Sequence, residues 1–173
     1  FSTRRRWRSR APVDQRSAVL ADVDAMGRRG LRVLAVASAR WDGDAAMPPS
    51  MHGFPFAWLG LVAFADPLRD GVVDAVAEAR VVMLTGDHRE TARAIAEQAG
   101  IPAAGGVVEG RRIDALDDDA LEQCAAATNV FARVRPEQKL RLVAALKQAG
   151  DVVAITGDGV NDAPALMAAH VGI

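Results

Sequence analysis

The stretch VVAITGDGVNDAPALMAAHVGI, Val152 to Ile173, decides how this chain is read. Val152 to Ile155 is apolar and mostly β-branched, the pattern of a buried strand. Gly157 and Gly159 permit a tight backbone turn, and Pro164 to Ala169 has the composition of a helix opening on proline. Asp158 and Asp162 therefore share one short loop at the carboxyl end of a strand, the edge at which α/β sheets bind ligands. Two carboxylates so close repel unless a cation or a proton lies between them, which points to a metal site. Mg²⁺ suits it, being an oxygen-seeking ion that is held by one or two carboxylates and keeps several waters. The plainer alternative is a capped turn in which Asp158 and Asn161 bond backbone amides. The run TGDGVNDAPAL is far more specific than a lone glycine loop and favours the metal reading.

A second segment, VVMLTGDHRETARAIAEQAG from Val81 to Gly100, repeats the plan: apolar strand, polar loop, helix. Thr85 and Gly86 offer a hydroxyl and backbone N–H groups where a helix begins, suited to a phosphoryl oxygen. The same residues also read as a helix cap, with Asp87 or Thr85 opening the helix and Glu90 closing a capping box. Lys139, in VFARVRPEQK just after Pro136, could neutralise charge on a transferring phosphoryl group. Alone it would be a solvated lysine, and only the neighbouring motifs raise it.

Composition is that of an ordinary globular chain: 173 residues, 50% hydrophobic and 25% charged. That length supports one moderate core with a smaller appendage. The net charge of −1 gives no electrostatic case for nucleic acid. The single cysteine, Cys124, excludes an internal disulfide and fits a reducing compartment. The longest apolar runs, such as Phe54 to Ala65, fall short of the roughly 20 residues that span a bilayer. No direct membrane insertion by this stretch is expected, and on its own it is expected to be soluble.

The basic start, with Arg4, Arg5, Arg6, Arg8 and Arg10, reads as a solvated tail rather than a signal, because no apolar core follows it. Val19, Leu20, Val23 and Met26 recur at helical spacing up to a stop at Gly30, and a strand follows from Leu31. The Gly- and Pro-rich DGDAAMPPSMHGFP marks a boundary, giving units at 1–47 and 54–173. Beyond it, strands at 58–65, 81–84, 107–109, 129–132 and 152–155 alternate with helices at 72–79, 90–99, 117–126 and 136–149. Strands separated by helices need crossover connections. The expected fold is therefore α/β, a mainly parallel sheet with helices on both faces.

These strings together resemble the P-type cation-transporting ATPases, whose phosphorylation domain is of the haloacid dehalogenase-like, three-layer Rossmann-like type. GLRVLAVA (Gly30 to Ala37) is similar to the closing strand of that family's nucleotide-binding domain, and DPLRDGV (Asp66 to Val72) to the return into its phosphorylation domain. MLTGDHRETA, FARVRPEQK and TGDGVNDAPAL follow in the family's order, and the details look most like the calcium-pump and sodium/potassium-pump branch. The resemblance implies Mg²⁺ on Asp158 and Asp162, with Asn161 completing that loop. It implies the phosphoryl group of ATP on Thr85 and Lys139. Gly86, Asp87, Arg133 and Asn161 would then lie along the nucleotide, and Arg32 would reach its phosphates or ribose. In-line phosphoryl transfer needs such positioning and charge neutralisation above all. The implied parent is a membrane pump with this portion on its cytoplasmic side, its partners being ATP and the actuator, transmembrane and remaining nucleotide-binding parts.

The departures matter as much. The family's DKTGT string, which carries the phosphorylated aspartate, does not occur here, nor do the TGE loop of the actuator or any spanning helix. The chain is thus expected to be an internal piece of a pump, inactive alone. Arg80 runs straight into Val81 where the family has a few more residues, so a strained helix-to-strand turn is expected. Asp22-Val23-Asp24 has the spacing of a nucleophile motif but lies in a helical pattern, and after Asp66 a leucine, Leu68, stands where a second acid belongs. A small soluble phosphatase of the same superfamily and a non-catalytic nucleotide- or metal-binding module are the rival readings.

Overall fold

The computed structural model describes residues 13–41, 43, 46–157 and 159–173, with side chains from Arg16 onward. In chain order the elements are α1 (Val13–Gly27), β1 (Arg32–Ser38), β2 (Ala57–Phe64), α2 (Val72–Ala77), β3 (Met83–Leu84) and α3 (Arg89–Ala99). There follow β4 (Val107–Glu109), α4 (Gly110–Ile113), α5 (Asp118–Ala127), β5 (Val130–Ala132), α6 (Pro136–Gln148), β6 (Ala154–Ile155), α7 (Ala163–Ala168) and β7 (Val171–Gly172).

The centre of the fold is β5, all three of whose residues are buried. It pairs in parallel with β3 on one side and β4 on the other, in the order β3-β5-β4. Successive side chains of a strand point to opposite faces. Accordingly Val130 and Ala132 join the cluster with Ala92, Ala96 and Ala99 of α3, while Phe131 joins Ile113, Leu121, Ala125, Leu142 and Val143 from α4, α5 and α6. This single alternation produces the layers: α3 on one face, α5 and α6 on the other. The short Ala side chains of α3 let that helix approach closely, and its Gly100 closes it in the left-handed conformation at φ 77°.

Two features depart from a single parallel sheet. First, β2 does not join the parallel strands; it pairs antiparallel with β1, Arg32 opposite Phe64 and Ser38 opposite Ala57, with an irregularity at Val36/Ala37. The reading that set residues 58–65 at the head of the parallel series is corrected on this point. The long connection after β1 gives the chain room to reverse and pair locally, whereas a parallel partner requires a crossover. The expected boundary between 47 and 54 therefore falls within the connection of two paired strands. Second, β6 pairs with β7 in parallel, as a sheet separate from β3-β5-β4. Between β3 and β6 lies a groove of about 260 Å³ lined by Val82, Leu84, Val153, Ala154 and Ile155.

The turn before β3 is not strained, contrary to expectation. Among the described residues Arg133 is the one non-glycine with a positive φ. Arg80 instead anchors the turn: its guanidinium donates to Asn129 Oδ1 at 3.2 Å, to Asp151 Oδ2 at 3.3 Å and to the carbonyl oxygens of Ala125 and Ala126. The last two are carbonyls of the final turn of α5, which have no partner within their own helix. Among the described residues no helix is long and apolar enough to cross a membrane.

Candidate functional site

Three loops leave the carboxyl ends of strands and carry the candidate residues. Thr85, Gly86 and Asp87 follow β3, Arg133 follows β5, and the glycine loop follows β6. The first two are laced together by the backbone: Thr85 N–H donates to Phe131 O, Val134 N–H to Thr85 O, and Arg133 N–H to Asp87 O. Closing that ladder holds Arg133 at φ 51°. Such a conformation costs a side-chain-bearing residue about 1 kcal/mol or more.

Within the first loop Thr85 Oγ1 accepts from Asp87 N–H and donates to Asp87 Oδ2, both at 3.1 Å. The helix that follows is not capped by Asp87 or Thr85, as the sequence suggested. His88 is its N-cap, and His88 Nδ1 accepts from Glu90 N–H at 3.4 Å. The hydroxyl of Thr85 and the carboxylate of Asp87 serve each other, so neither reaches forward to the helix. Gly86 is exposed, and a Cβ there would meet nothing within 4 Å.

On the other side of the site α6 starts at Pro136 and brings Lys139 into its first turn. Lys139 Nζ lies 2.5 Å from Asp162 Oδ1, with side chains only 18% and 14% exposed. A half-buried charge pair of this kind is stronger than its exposed counterparts, because less water screens it. Asp162 ends a 3-10 turn, Val160–Asp162, its N–H donating to Gly159 O at 2.8 Å. Its carboxylate folds back over the loop, since a Cβ on Gly157 would fall 2.8 Å from Asp162 Oδ2 and one on Gly159 3.2 Å away. Glycine at both positions makes that approach feasible. Asn161 lies on the same turn and is exposed. Asp158 is outside the described residues.

The structure thus brings Lys139 to Asp162 and Thr85 to Asp87. It also carries Arg32, at the start of β1, to the β3 loop: Arg32 Nε stands 3.8 Å from Asp87 Oδ1, with Arg32 74% exposed. Around this contact lies a cavity of about 670 Å³ bordered by Arg32, Asp66, Arg69, Asp87 and Thr91. Asp22 and Asp24, the alternative nucleophile pair, belong to α1, and Asp24 Oδ1 is 3.7 Å from His88 Nε2. A helix interior does not present a carboxylate at a strand tip. Sequence reading overlooked Gln138, 2% exposed, which ties α6 to α4: its Nε2 donates to Gly110 O at 2.8 Å and to Asp114 Oδ1 at 2.7 Å, and its Oε1 accepts from Arg135 N–H. A glutamine two places after a helix-opening proline looks like a surface residue, and only the approach of Gly110 buries it.

A divalent ion is compatible with this arrangement. Among the described residues no group of three or more His, Cys, Asp or Glu side chains gathers. Mg²⁺ needs only one or two carboxylates beside water and phosphate oxygens. The back-folded carboxylate of Asp162 meets that requirement on the loop that carries Asp158.

The chain is similar to known proteins over most of its length. The chain is 44% identical over 178 residues to the probable cation-transporting ATPase F of Mycobacterium tuberculosis, covering 94% of this chain but 19% of that protein. It is 44% identical over 160 residues to the probable cation-transporting ATPase I of Mycobacterium leprae, and 39% identical over 168 residues to the calcium-transporting ATPase 1 of Yarrowia lipolytica. These alignments cover 86% and 92% of this chain, and 10% and 18% of those two proteins. The chain therefore spans about a fifth or less of the length of these relatives. A family profile matches residues 7–170, nearly the whole chain, and with a three-layer α/β fold beneath it this protein belongs to the haloacid dehalogenase-like hydrolases.

Proposed function

We propose that this chain is the phosphoryl-handling portion of an ATP-driven cation pump that works through an aspartyl-phosphate. The observation that carries the proposal is the meeting of Lys139 and Asp162 at 2.5 Å beside the glycine loop. A cation beside a carboxylate is what a phosphoryl group and its metal would each need as a partner, and it supports this reading. Thr85 and Lys139 hold the transferring phosphoryl group, Thr85 through its hydroxyl and Lys139 through its charge. Asp158 and Asp162 hold Mg²⁺, which when bound neutralises charge on the phosphoryl oxygens. Arg32, Gly86, Asp87, Arg133 and Asn161 lie along the nucleotide. In such a transfer the protein's part is positioning and electrostatics, which suits a site of fixed charges on backbone-laced loops. Lys139 leaves Asp162 for a phosphoryl oxygen when nucleotide enters, exchanging one charge-assisted hydrogen bond for another.

In this reading α1 and the β1–β2 hairpin belong with a nucleotide-binding domain, so that remnant extends past residue 47 through β2. Leu34, Leu59, Val62 and Phe64 on the hairpin are 48%, 63%, 43% and 52% exposed, which fits a surface covered by the rest of such a domain. In this reading a further strand lies in the groove between β3 and β6. A strand ending in the accepting aspartate would there deliver it to the same loops. The parent protein is a membrane pump with this portion facing the cytoplasm.

Calorimetric titration with Mg²⁺, in the chain and in Asp158→Asn, tests the metal assignment. Binding should be strongly weakened in the variant, and equal affinity in both would remove it.

A further inference from the structure

Thr91 falls within the MLTGDHRETA string without a role of its own so far, yet it is 2% exposed and its hydroxyl is aimed away from its own helix. Thr91 is the third residue of α3, and a threonine hydroxyl within a helix ordinarily faces solvent or bonds locally to its own backbone. Thr91 Oγ1 instead donates to the carbonyl of Leu31 at 2.9 Å, across 60 residues of sequence. The surroundings are built for this contact. Gly27 is buried against α3, where a Cβ would stand 3.2 Å from both Glu90 Cβ and Thr91 Oγ1. Gly30 turns at φ 77° beside Gln98. Leu31 N–H is fixed in turn to Met26 O at 3.2 Å.

Leu31 directly precedes Arg32, so its carbonyl belongs to the peptide plane from which Arg32 departs. Fixing that plane fixes where β1 begins and the direction in which Arg32 leaves it. Arg32 is otherwise exposed, and among the described residues its ion-pair partner is Asp87, four residues before Thr91 on the segment that enters α3. Both residues border the same cavity of about 670 Å³. We infer that Thr91 is a positioning residue for nucleotide binding: its hydroxyl sets the Leu31–Arg32 peptide so that Arg32 is presented to the Thr85-Gly86-Asp87 loop. The inference rests on the nucleotide reading of Arg32 proposed above.

Displacement of trinitrophenyl-ATP by ATP, measured on the 173-residue chain, tests it. Thr91→Val keeps the shape and removes the hydroxyl; Thr91→Ser keeps the hydroxyl. The valine variant should weaken ATP binding about five- to tenfold, the scale of one lost hydrogen bond, while the serine variant stays within about twofold of the parent. In an Arg32→Ala background the valine substitution should add no further loss, because the residue it positions is gone. Should Thr91→Val not fold, Thr91→Ala takes its place in the same cycle. If Arg32→Ala weakens binding but neither hydroxyl-free variant does, the positioning role is overturned and the nucleotide reading stands. Equal losses in both backgrounds overturn it as well, since a merely structural threonine behaves that way. If Arg32→Ala itself has no effect, the nucleotide reading of Arg32 and the role of Thr91 both fall.

Discussion

Arg133 holds a left-handed backbone at φ 51° because its N–H and that of Val134 must reach Asp87 and Thr85. Its side chain is exposed, so nothing in the packing compensates the strain. Arg133→Gly is therefore expected to leave stability unchanged or raised by up to about 1 kcal/mol, seen as a thermal midpoint that holds or rises, while ATP affinity falls. A drop in the midpoint would show that the arginine side chain, not the ladder, holds the loop. Gly110 is the converse case. A Cβ there would fall 2.4 Å from both Arg133 O and Gln138 Oε1. Neither the backbone carbonyl nor the buried glutamine can retreat, so Gly110→Ala should destabilise by about 1–3 kcal/mol, read as a shift in the urea midpoint.

At the scale of the element, α6 does two things at once: its buried face carries Leu142 and Val143, and its first turn carries Lys139. Leu142 is 0% exposed beside Phe131 in the cluster above β5. Leu142→Ala should cost about 2–5 kcal/mol in urea unfolding. The start of α6 is also pinned to α4, where Gln138 and Arg135 both donate to Asp114. The Gln138 amide and the Arg135 guanidinium hold the Asp114 carboxyl below the usual carboxylate range. A group with a depressed folded pKa stabilises the fold above its unfolded pKa and loses that contribution as pH falls through the folded value. The stability difference between the chain and Asp114→Asn should therefore be full at neutral pH and close below about pH 4. A difference that persists unchanged to pH 2 would show that the hydrogen bonds survive protonation and that charge is irrelevant there.

For the whole molecule, the proposed reading ties the groove between β3 and β6 to the need for an accepting aspartate. In the proposed reading Thr85 and Lys139 would stabilise a transferring group but not receive it, and covalent catalysis without its nucleophile loses the step itself. Incubation with γ-labelled ATP and Mg²⁺ followed by an acid quench should therefore leave no label on this chain. Hydroxylamine-sensitive label on Asp22, Asp24 or Asp66 would overturn that expectation and favour a phosphatase. A longer chain that includes a strand ending in DKTGT should fill the groove and protect the amides of Leu84 and Ala154, the ones that face away from β5 and β7, from hydrogen exchange.

The sequence by itself determined the alternation of elements, because apolar runs and turn residues encode local structure through side-chain spacing. The helices at Arg89–Ala99 and Pro136–Gln148 and the strand at Val107–Glu109 were readable to within a residue or two. So was the place of the Thr85 and Arg133 loops after β3 and β5, since parallel topology alone aligns those strand ends. Only the tertiary structure decided that β2 folds back on β1, since strand propensity does not name a partner. It alone set Lys139 against Asp162 and buried Gln138 beneath Gly110. It alone spent the hydroxyl of Thr91 on a carbonyl sixty residues away. Such contacts join residues with no sequence periodicity in common; they exist because packed layers bring distant segments within hydrogen-bond reach, and a buried polar atom must then find a partner there.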